Sequence, residues 1–295
     1  MIDITQKIQA ASHSGATLQV FQSDGNYFVR KKINAAIEKN HSAIQKQSYF
    51  KPIKTPSYNI IAIPVTDIIH SPNELSITMP YIEGLGGEQV AYKGSKVVAR
   101  NLKTALDFYL IKSVTASEDQ CYPVKNVIDK IEQISTNLTG KWHIFPDLKS
   151  HIMDFKQYCR NDLVMPMGEC HGDLTLSNLK VTEENELVLF DFLTCEINSP
   201  LQDAAKLIQD FEYGWSFRKE KTSVRIKGEI FCEHAMPSFL KTLNRLFYYE
   251  MRIIETLTIL RIAPYIQEQD NVTIDWFNNV MIKTMRKIKG QLCLR

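Results

Sequence analysis

Asp173, Asn178 and Asp191 are residue types that could assemble a phosphoryl-transfer centre around a divalent cation. The first two lie in the stretch Cys170-His171-Gly172-Asp173-Leu174-Thr175-Leu176-Ser177-Asn178-Leu179, and the third follows the apolar run Leu187-Val188-Leu189-Phe190. Between them, Lys180-Val181-Thr182-Glu183-Glu184-Asn185-Glu186 reads as the end of one strand, a polar turn and the start of another, which predicts a β-hairpin. Folding the hairpin back makes Asn178 and Asp191 cross-strand neighbours roughly 5 Å apart. An amide oxygen and a carboxylate so placed are hard ligands that suit Mg2+ bound to phosphate oxygens and keeping several waters. Asp173 precedes Asn178 by five residues, which places a second carboxylate near the metal without ligating it, where a base for an acceptor hydroxyl would sit. Each residue alone is ordinary turn chemistry; their order, their spacing and the apolar strand that delivers Asp191 carry the reading.

The chain around this stretch is 295 residues long, 44% hydrophobic and 23% charged, which predicts an ordinary soluble globular protein of one large or two modest domains. A net charge of +2 gives no reason to expect a nucleic-acid or membrane partner. No apolar run approaches the ~18 residues of a spanning helix. The polar start Met1-Ile2-Asp3-Ile4-Thr5-Gln6-Lys7 lacks the pattern of a signal peptide, so a cytoplasmic protein is expected. Six scattered cysteines with no Cys-x-x-Cys pair predict reduced thiols that form neither disulfides nor a zinc site. Cys170 and Cys195 flank the polar stretch, but no basic neighbour that would activate either is identifiable from the sequence.

The elements that must hold the polar residues read in order. Residues 17–33 predict paired strands around a tight turn at Ser23-Asp24-Gly25-Asn26, preceded by a small-residue turn containing Ser14 and Gly15. Alternation along the second strand puts Val29 and Lys31 on one face and Lys32 on the other. Residues 35–50 read as a helix. Two further strands are expected at 60–65 and 75–79, joined by Ser71-Pro72-Asn73. Thereafter the chain is mostly helical, with helices expected from Val124, over about 147–160, and as one long pattern over 237–266 interrupted at Pro264. The terminal Lys283, Arg286, Lys287 and Lys289 read as the solvated face of a last helix. Tyr213-Gly214-Trp215 is dense in aromatics, which by default pack in a core.

The residues 170–192 resemble the catalytic loop and metal-binding aspartate of the aminoglycoside phosphotransferase and choline kinase group, small-molecule relatives of the protein kinases. Gly172 stands where protein kinases place an Arg between the His and the Asp, and Leu193 replaces the glycine of their Asp-Phe-Gly. The resemblance implies a two-lobed protein-kinase-like α+β fold. Its small antiparallel-sheet lobe would span residues 1–80 and bind nucleotide, residues 81–84 would be the hinge, and residues 85–295 would form a larger, mostly helical lobe for catalysis and substrate. It implies ATP and Mg2+ as cofactors, Asn178 and Asp191 as metal ligands, and Asp173 with His171 as the catalytic pair. Lys31, with Lys32 as second choice, would reach the phosphates, under a loop containing Ser14 and Gly15. In the hinge, the Pro80 carbonyl and the Ile82 N–H would meet adenine, Pro80 having no N–H to offer. The lysine's usual Glu partner is missing from mid-helix, leaving Glu38, Gln45 or Gln47. Asp203, just after Pro200, would brace the catalytic loop or simply begin a helix. Tyr213 and Trp215 would offer a substrate wall. The implied activity is phosphorylation of a hydroxyl on a small molecule such as a sugar, glycan precursor or amino alcohol. A catalytically silent nucleotide-binding scaffold is the alternative, and Gly172 weighs against a protein kinase.

Overall fold

A computed structural model describes residues 16–87 and 89–292. Strands β1 (Thr17–Ser23) and β2 (Asn26–Ile33) pair antiparallel from Thr17↔Lys32 to Ser23↔Asn26. Asp24 and Gly25 close the hairpin with φ of 49° and 79°, the left-handed pair that a two-residue turn between twisted strands demands. Helix α1 (Ile37–Ser48) follows, two residues shorter than expected at each end. Next come β3 (Asn59–Ala62), β4 (Asp67–His70) and β5 (Leu75–Pro80). One four-stranded sheet runs β1-β2-β5-β4 and, with α1, encloses a small core of Ile44, Leu75, Ile77 and Met79.

The strand expected at 60–65 ends at Ala62 and belongs to the other lobe. β3 runs parallel to β10 (Glu186–Leu189) with Ile60 opposite Leu187, in a sheet ordered β3-β10-β9-β6 with β6 (Leu85–Gly86) and β9 (Leu179–Val181). Burial decides this: Ile53, Tyr58 and Ile60 join the large hydrophobic cluster. The chain then crosses over, since the N–H of Ile63 still bonds the Leu189 carbonyl at 2.8 Å while that of Thr66 bonds the Thr78 carbonyl of β5 at 2.8 Å. Residues 63–66 therefore tie the two sheets together.

Beyond the hinge lie α2 (Gln89–Lys93) and α3 (Lys96–Thr115), the latter capped by Ser95, whose hydroxyl accepts from the Val98 N–H. Strand β7 (Glu118–Tyr122) pairs with β8 (Leu163–Met167) across α4 (Val124–Asn137) and α5 (Leu148–Tyr158). Helix α6 (Pro200–Phe211) starts with Ser199 as cap and Pro200 in its first turn, where a missing N–H costs nothing. Helix α7 (Thr222–Ala235) follows. The single long helix expected over 237–266 is two, α8 (Phe239–Leu246) and α9 (Tyr248–Leu260), broken where Phe247 leaves helical geometry at φ −117°, ψ 48°. From Met251 to Leu260 every residue of α9 is buried, as in a helix packed on all sides. In α10 (Asn271–Leu292) the expected solvated face is only partly so, because Lys287 pairs with Glu212 at 2.7 Å and Glu255 at 2.8 Å.

Gly84 fixes how closely the hinge approaches β9. Its φ is +149°, and a Cβ there would lie 2.4 Å from the Val181 carbonyl oxygen, a backbone atom that cannot swing aside. Gly84→Ala is expected to destabilise the protein by ~1–3 kcal/mol, the scale of strain at such positions, measured as a lowered urea midpoint. A midpoint unchanged from wild type would contradict this reading of the hinge.

Candidate active site

The loop from His171 to Asn178 has almost no regular structure, so its backbone hydrogen bonds must come from elsewhere. A buried helix supplies them. Asp203 of α6 accepts the His171 N–H on Oδ2 at 2.6 Å and the Gly172 N–H on Oδ1 at 2.7 Å, and the Tyr109 hydroxyl donates to Oδ2 at 2.6 Å. Two turns on, Asp210 accepts from the Leu176 and Ser216 N–H groups at 2.6 and 2.7 Å. Burial pushes its carboxyl up to about 6, although those N–H groups pull the other way. Gly172 turns the loop with φ +90°; a Cβ would stand 2.5 Å from both Leu193 O and Cys195 Sγ. No side chain fits there, which is the physical reason for glycine between His171 and Asp173.

His171 is buried, with its ring held against the Asp173 backbone. Its Nδ1 accepts the Asp173 N–H at 3.2 Å, which leaves Nε2–H to donate to the Phe190 carbonyl at 3.0 Å. Burial lowers its pKa, against the pull of Asp203 and Asp173, and keeps the ring neutral. Asp173 itself is partly open. The Asn178 amide donates to its Oδ2 and to its carbonyl, both at 2.8 Å, while Lys206 Nζ stands 2.9 Å from Oδ1. Burial pushes the Asp173 carboxyl up, but Lys206, His171 and Asn178 together outweigh it and hold the group below its ordinary value.

Asp191 sits in the left-handed region at φ 58°, a conformation that costs a non-glycine residue of order 1 kcal/mol or more and is concentrated at functional sites. Lys31 Nζ reaches its Oδ1 at 2.8 Å across 160 residues of chain. The hairpin register differs from the expected one by a residue: Leu179 pairs with Leu189 and the Phe190 N–H bonds the Asn178 carbonyl at 3.2 Å, so Asp191 lies one step beyond Asn178's partner. The offset arises in the turn, where the Thr182 N–H bonds the Glu186 carbonyl and Asn185 is left-handed at φ 61°. With its amide nitrogen committed to Asp173, Asn178 has its amide oxygen left as an acceptor, and that oxygen and the Asp191 carboxylate are the ligand types that suit Mg2+.

No family profile matches the chain, and no curated protein matches it in sequence. Solved structures do match it in three dimensions. A thermostable mutant of aminoglycoside phosphotransferase APH(4)-Ia in its apo form aligns with TM-score 0.54 at 10% identity over 95% of this chain and 92% of its own. The ternary complex of such a mutant with ADP and hygromycin B aligns with TM-score 0.54 at 12% identity, over 96% and 98%. ADP-bound APH(2'')-Ib aligns with TM-score 0.50 at 12% identity, over 98% and 99%. The fold is that of the aminoglycoside phosphotransferases. It is a two-lobed protein-kinase-like α+β fold, with a small antiparallel sheet and a larger helical lobe.

Within this fold Lys31 meets Asp191, Asn178 and His171 both meet Asp173, and Lys32 turns away to Glu74 at 3.9 Å. Ser14 and Gly15 lie outside the described residues. None of the expected helix partners forms an ion pair or hydrogen bond with Lys31: Glu38 faces His70, Gln45 is exposed, and the Gln47 amide bonds the Ile63 carbonyl at 3.0 Å. Instead α1 sends Lys46 to the Leu193 carbonyl at 3.0 Å, to Asn198 at 3.4 Å and to Cys170 Sγ at 3.6 Å. That is the basic neighbour the thiols lacked in the sequence. It helps hold the Cys195 thiol below its usual range, after the larger contribution of a hydrogen bond from Cys170 and against burial. In the hinge, Pro80 pairs opposite Phe28, and Lys180 Nζ takes the Ile82 carbonyl at 2.5 Å.

Tyr213 is not a substrate wall. It is buried, its hydroxyl bonded to Glu255 and to Lys287 Nζ, and burial drives its pKa far up. Trp215 stays partly exposed but carries the Arg218 guanidinium 3.5 Å above its ring. Two functional residues escaped the sequence reading, Lys206 and Lys46. For Lys206 a signal existed: Asp203, Lys206 and Asp210 repeat at i, i+3, i+7 on a helix otherwise rich in apolar residues, a polar stripe on a buried face.

The stabilisation that comes with a depressed Asp173 pKa is fully present above the ordinary value of 3.8 and is lost as pH falls through the lowered native value. In Lys206→Met the opposing burial is left less compensated, so the Asp173 carboxyl is expected to titrate at higher pH than in wild type. Carbon-13 NMR of the Asp173 carboxyl checks this, and an unmoved midpoint would remove Lys206 from the site's electrostatics.

Proposed function

We propose that the protein is an ATP- and Mg2+-dependent phosphotransferase that phosphorylates a hydroxyl on a small molecule. The observation that carries the proposal is that Lys31 from the small sheet reaches Asp191 at 2.8 Å, at the end of the hairpin whose other end carries Asn178, and that the Asn178 amide holds Asp173 at 2.8 Å. Residues 1–80 hold the nucleotide with Lys31 on its phosphates, residues 81–84 contact adenine, and residues 85–295 carry the acceptor site. ATP, when bound, would supply the phosphoryl group, and Mg2+ would neutralise its charge. Asn178 and Asp191 would hold the metal. Lys31 exchanges the Asp191 carboxylate for the phosphates when nucleotide binds, one anionic partner for another.

Asp173 orients the acceptor hydroxyl and takes its proton as the oxygen bonds to the γ-phosphorus and ADP leaves. Its lowered pKa keeps it ionised, which favours positioning over strong basicity and suits a reaction in which alignment and charge neutralisation supply most of the barrier reduction. His171 holds the Asp173 backbone, and Asn178 and Lys206 hold its two oxygens. A structural neighbour solved in ternary complex with ADP and hygromycin B supports a small-molecule acceptor.

A second reading, nucleotide binding without turnover, draws on α1, which offers Lys31 no carboxylate and sends Lys46 to the Leu193 carbonyl instead. Titration calorimetry of ATP with and without Mg2+, followed by ADP release over a panel of sugars and amino alcohols, separates the two. Mg2+-dependent binding with no ADP release on any hydroxyl compound would favour the silent form.

Asp191→Asn is expected to abolish both Mg2+-dependent nucleotide affinity and turnover; wild-type Mg·ATP affinity in this variant would refute the metal assignment. Asp173→Asn is expected to leave Mg·ATP affinity within a few fold while lowering kcat by roughly 10²-fold or more. Loss of nucleotide affinity would instead move Asp173 into the metal shell, and a near-normal kcat would sink the proposed centre.

A further inference from the structure

Three metal-ligating side chains meet on the small lobe without any part in the proposed chemistry. Glu38 and His41 stand one turn apart on α1, and His70 is the last residue of β4, before the turn into β5. The His41 and His70 rings stack with centroids 4.4 Å apart and 17° between their planes, and His70 Nε2 lies 3.3 Å from Glu38 Oε1. One ligand atom from each residue lies within 4.8 Å of the others. The small core is built from Ile44, Leu75, Ile77 and Met79, so hydrophobic packing does not explain the trio.

We propose that Glu38, His41 and His70 form a binding site for Zn2+ or a similar divalent transition-metal ion, with two imidazole nitrogens and one carboxylate oxygen as ligands. Such donors hold zinc at about 2.0–2.2 Å, so neighbouring ligand atoms of a tetrahedral site stand roughly 3.3 Å apart. The Glu38–His70 edge already has that length at 3.3 Å. The remaining edges, at most 4.8 Å, close by rotation of side chains that are exposed or half-exposed. Three protein ligands leave a fourth position for water. Two nitrogens in three donors disfavour Mg2+ and Ca2+, which take oxygen. The ion would tie the first turns of α1 to the β4–β5 hairpin, and the last turn of the same helix carries Lys46 to the Leu193 carbonyl.

The test is calorimetric titration of chelator-treated full-length protein with ZnCl2, for wild type, His70→Gln, His41→Gln and Glu38→Gln, with histidine-ring NMR to locate the ion. None of these residues belongs to the proposed catalytic machinery. Wild type is expected to bind Zn2+ with perturbation of the His41 and His70 ring signals and a raised thermal midpoint. His70→Gln and His41→Gln are expected to weaken that binding at least ~10-fold, the scale on which even a supporting partner of a metal ligand counts. Excess Mg2+ should not compete. Binding unchanged in both histidine variants, ring signals unmoved by Zn2+, or displacement by Mg2+ would each overturn the proposal and leave only a Glu38–His70 contact beside stacked rings. His70 is exposed, so His70→Gln remains decisive should His41→Gln fail to fold.

Discussion

The Asp203 carboxylate is the constraint on which the site depends. It is fully buried, and taking a carboxylate out of water costs several kcal/mol. Three hydrogen bonds to it, from two backbone N–H groups and a tyrosine hydroxyl, each contribute about 1.5–3 kcal/mol, enough to offset that cost. The N–H groups belong to His171 and Gly172, so what stabilises the buried charge also fixes the backbone immediately before Asp173. Removal of the carboxylate would leave two loop N–H groups and the Tyr109 hydroxyl without it in an interior where other partners are scarce.

The same helix face repeats the device at two further levels. Lys206 lies one turn beyond Asp203 and meets the Asp173 carboxylate; Asp210 lies a further turn along and holds the Leu176 N–H. One buried helix thus spaces three anchors along a loop that has little secondary structure of its own. Packing of α6 against α9 makes this rigid, because Ile253, Ile254 and Leu257 of α9 and Leu201, Ala204 and Ile208 of α6 share the large core. A site held within a fraction of an ångström requires support of this kind.

The lobes are coupled by more than the hinge. The segment after β3 bonds first to Leu189 of the hairpin that delivers Asp191 and then to β5 of the small sheet. Lys46 adds a second tie from α1 to the chain just past Asp191, using charge-assisted bonds to a carbonyl and an amide oxygen. The resemblance led one to seek in this helix a carboxylate for Lys31; α1 instead sends a lysine to the large lobe, and Lys31 pairs with Asp191. The Lys31–Asp191 pair is the third tie, joining a mostly buried lysine of the small sheet to a carboxylate 41% exposed.

The order His171, Asp173, Asn178 and Asp191, the hairpin between the last two, the Asp-Gly turn and the alternation that aims Lys31 rather than Lys32 were legible in the sequence because they are local: residue type, strand period and turn chemistry determine them within a few positions. The two-lobed fold was legible only through resemblance at those same residues. Long-range choices were not legible. The apolar run at Ile60 suits either sheet, and the greater burial in the large core decided for the hairpin. The break at Phe247 follows no proline or glycine, and the helical period runs straight through it. Tyr213 was indistinguishable from a binding aromatic until its hydroxyl met Glu255 and Lys287 from two distant helices. Lys46 and Lys206 carry no motif, since a lysine on a helix is solvated unless tertiary packing brings an acceptor to it, and that approach of remote groups is decided only in the folded chain.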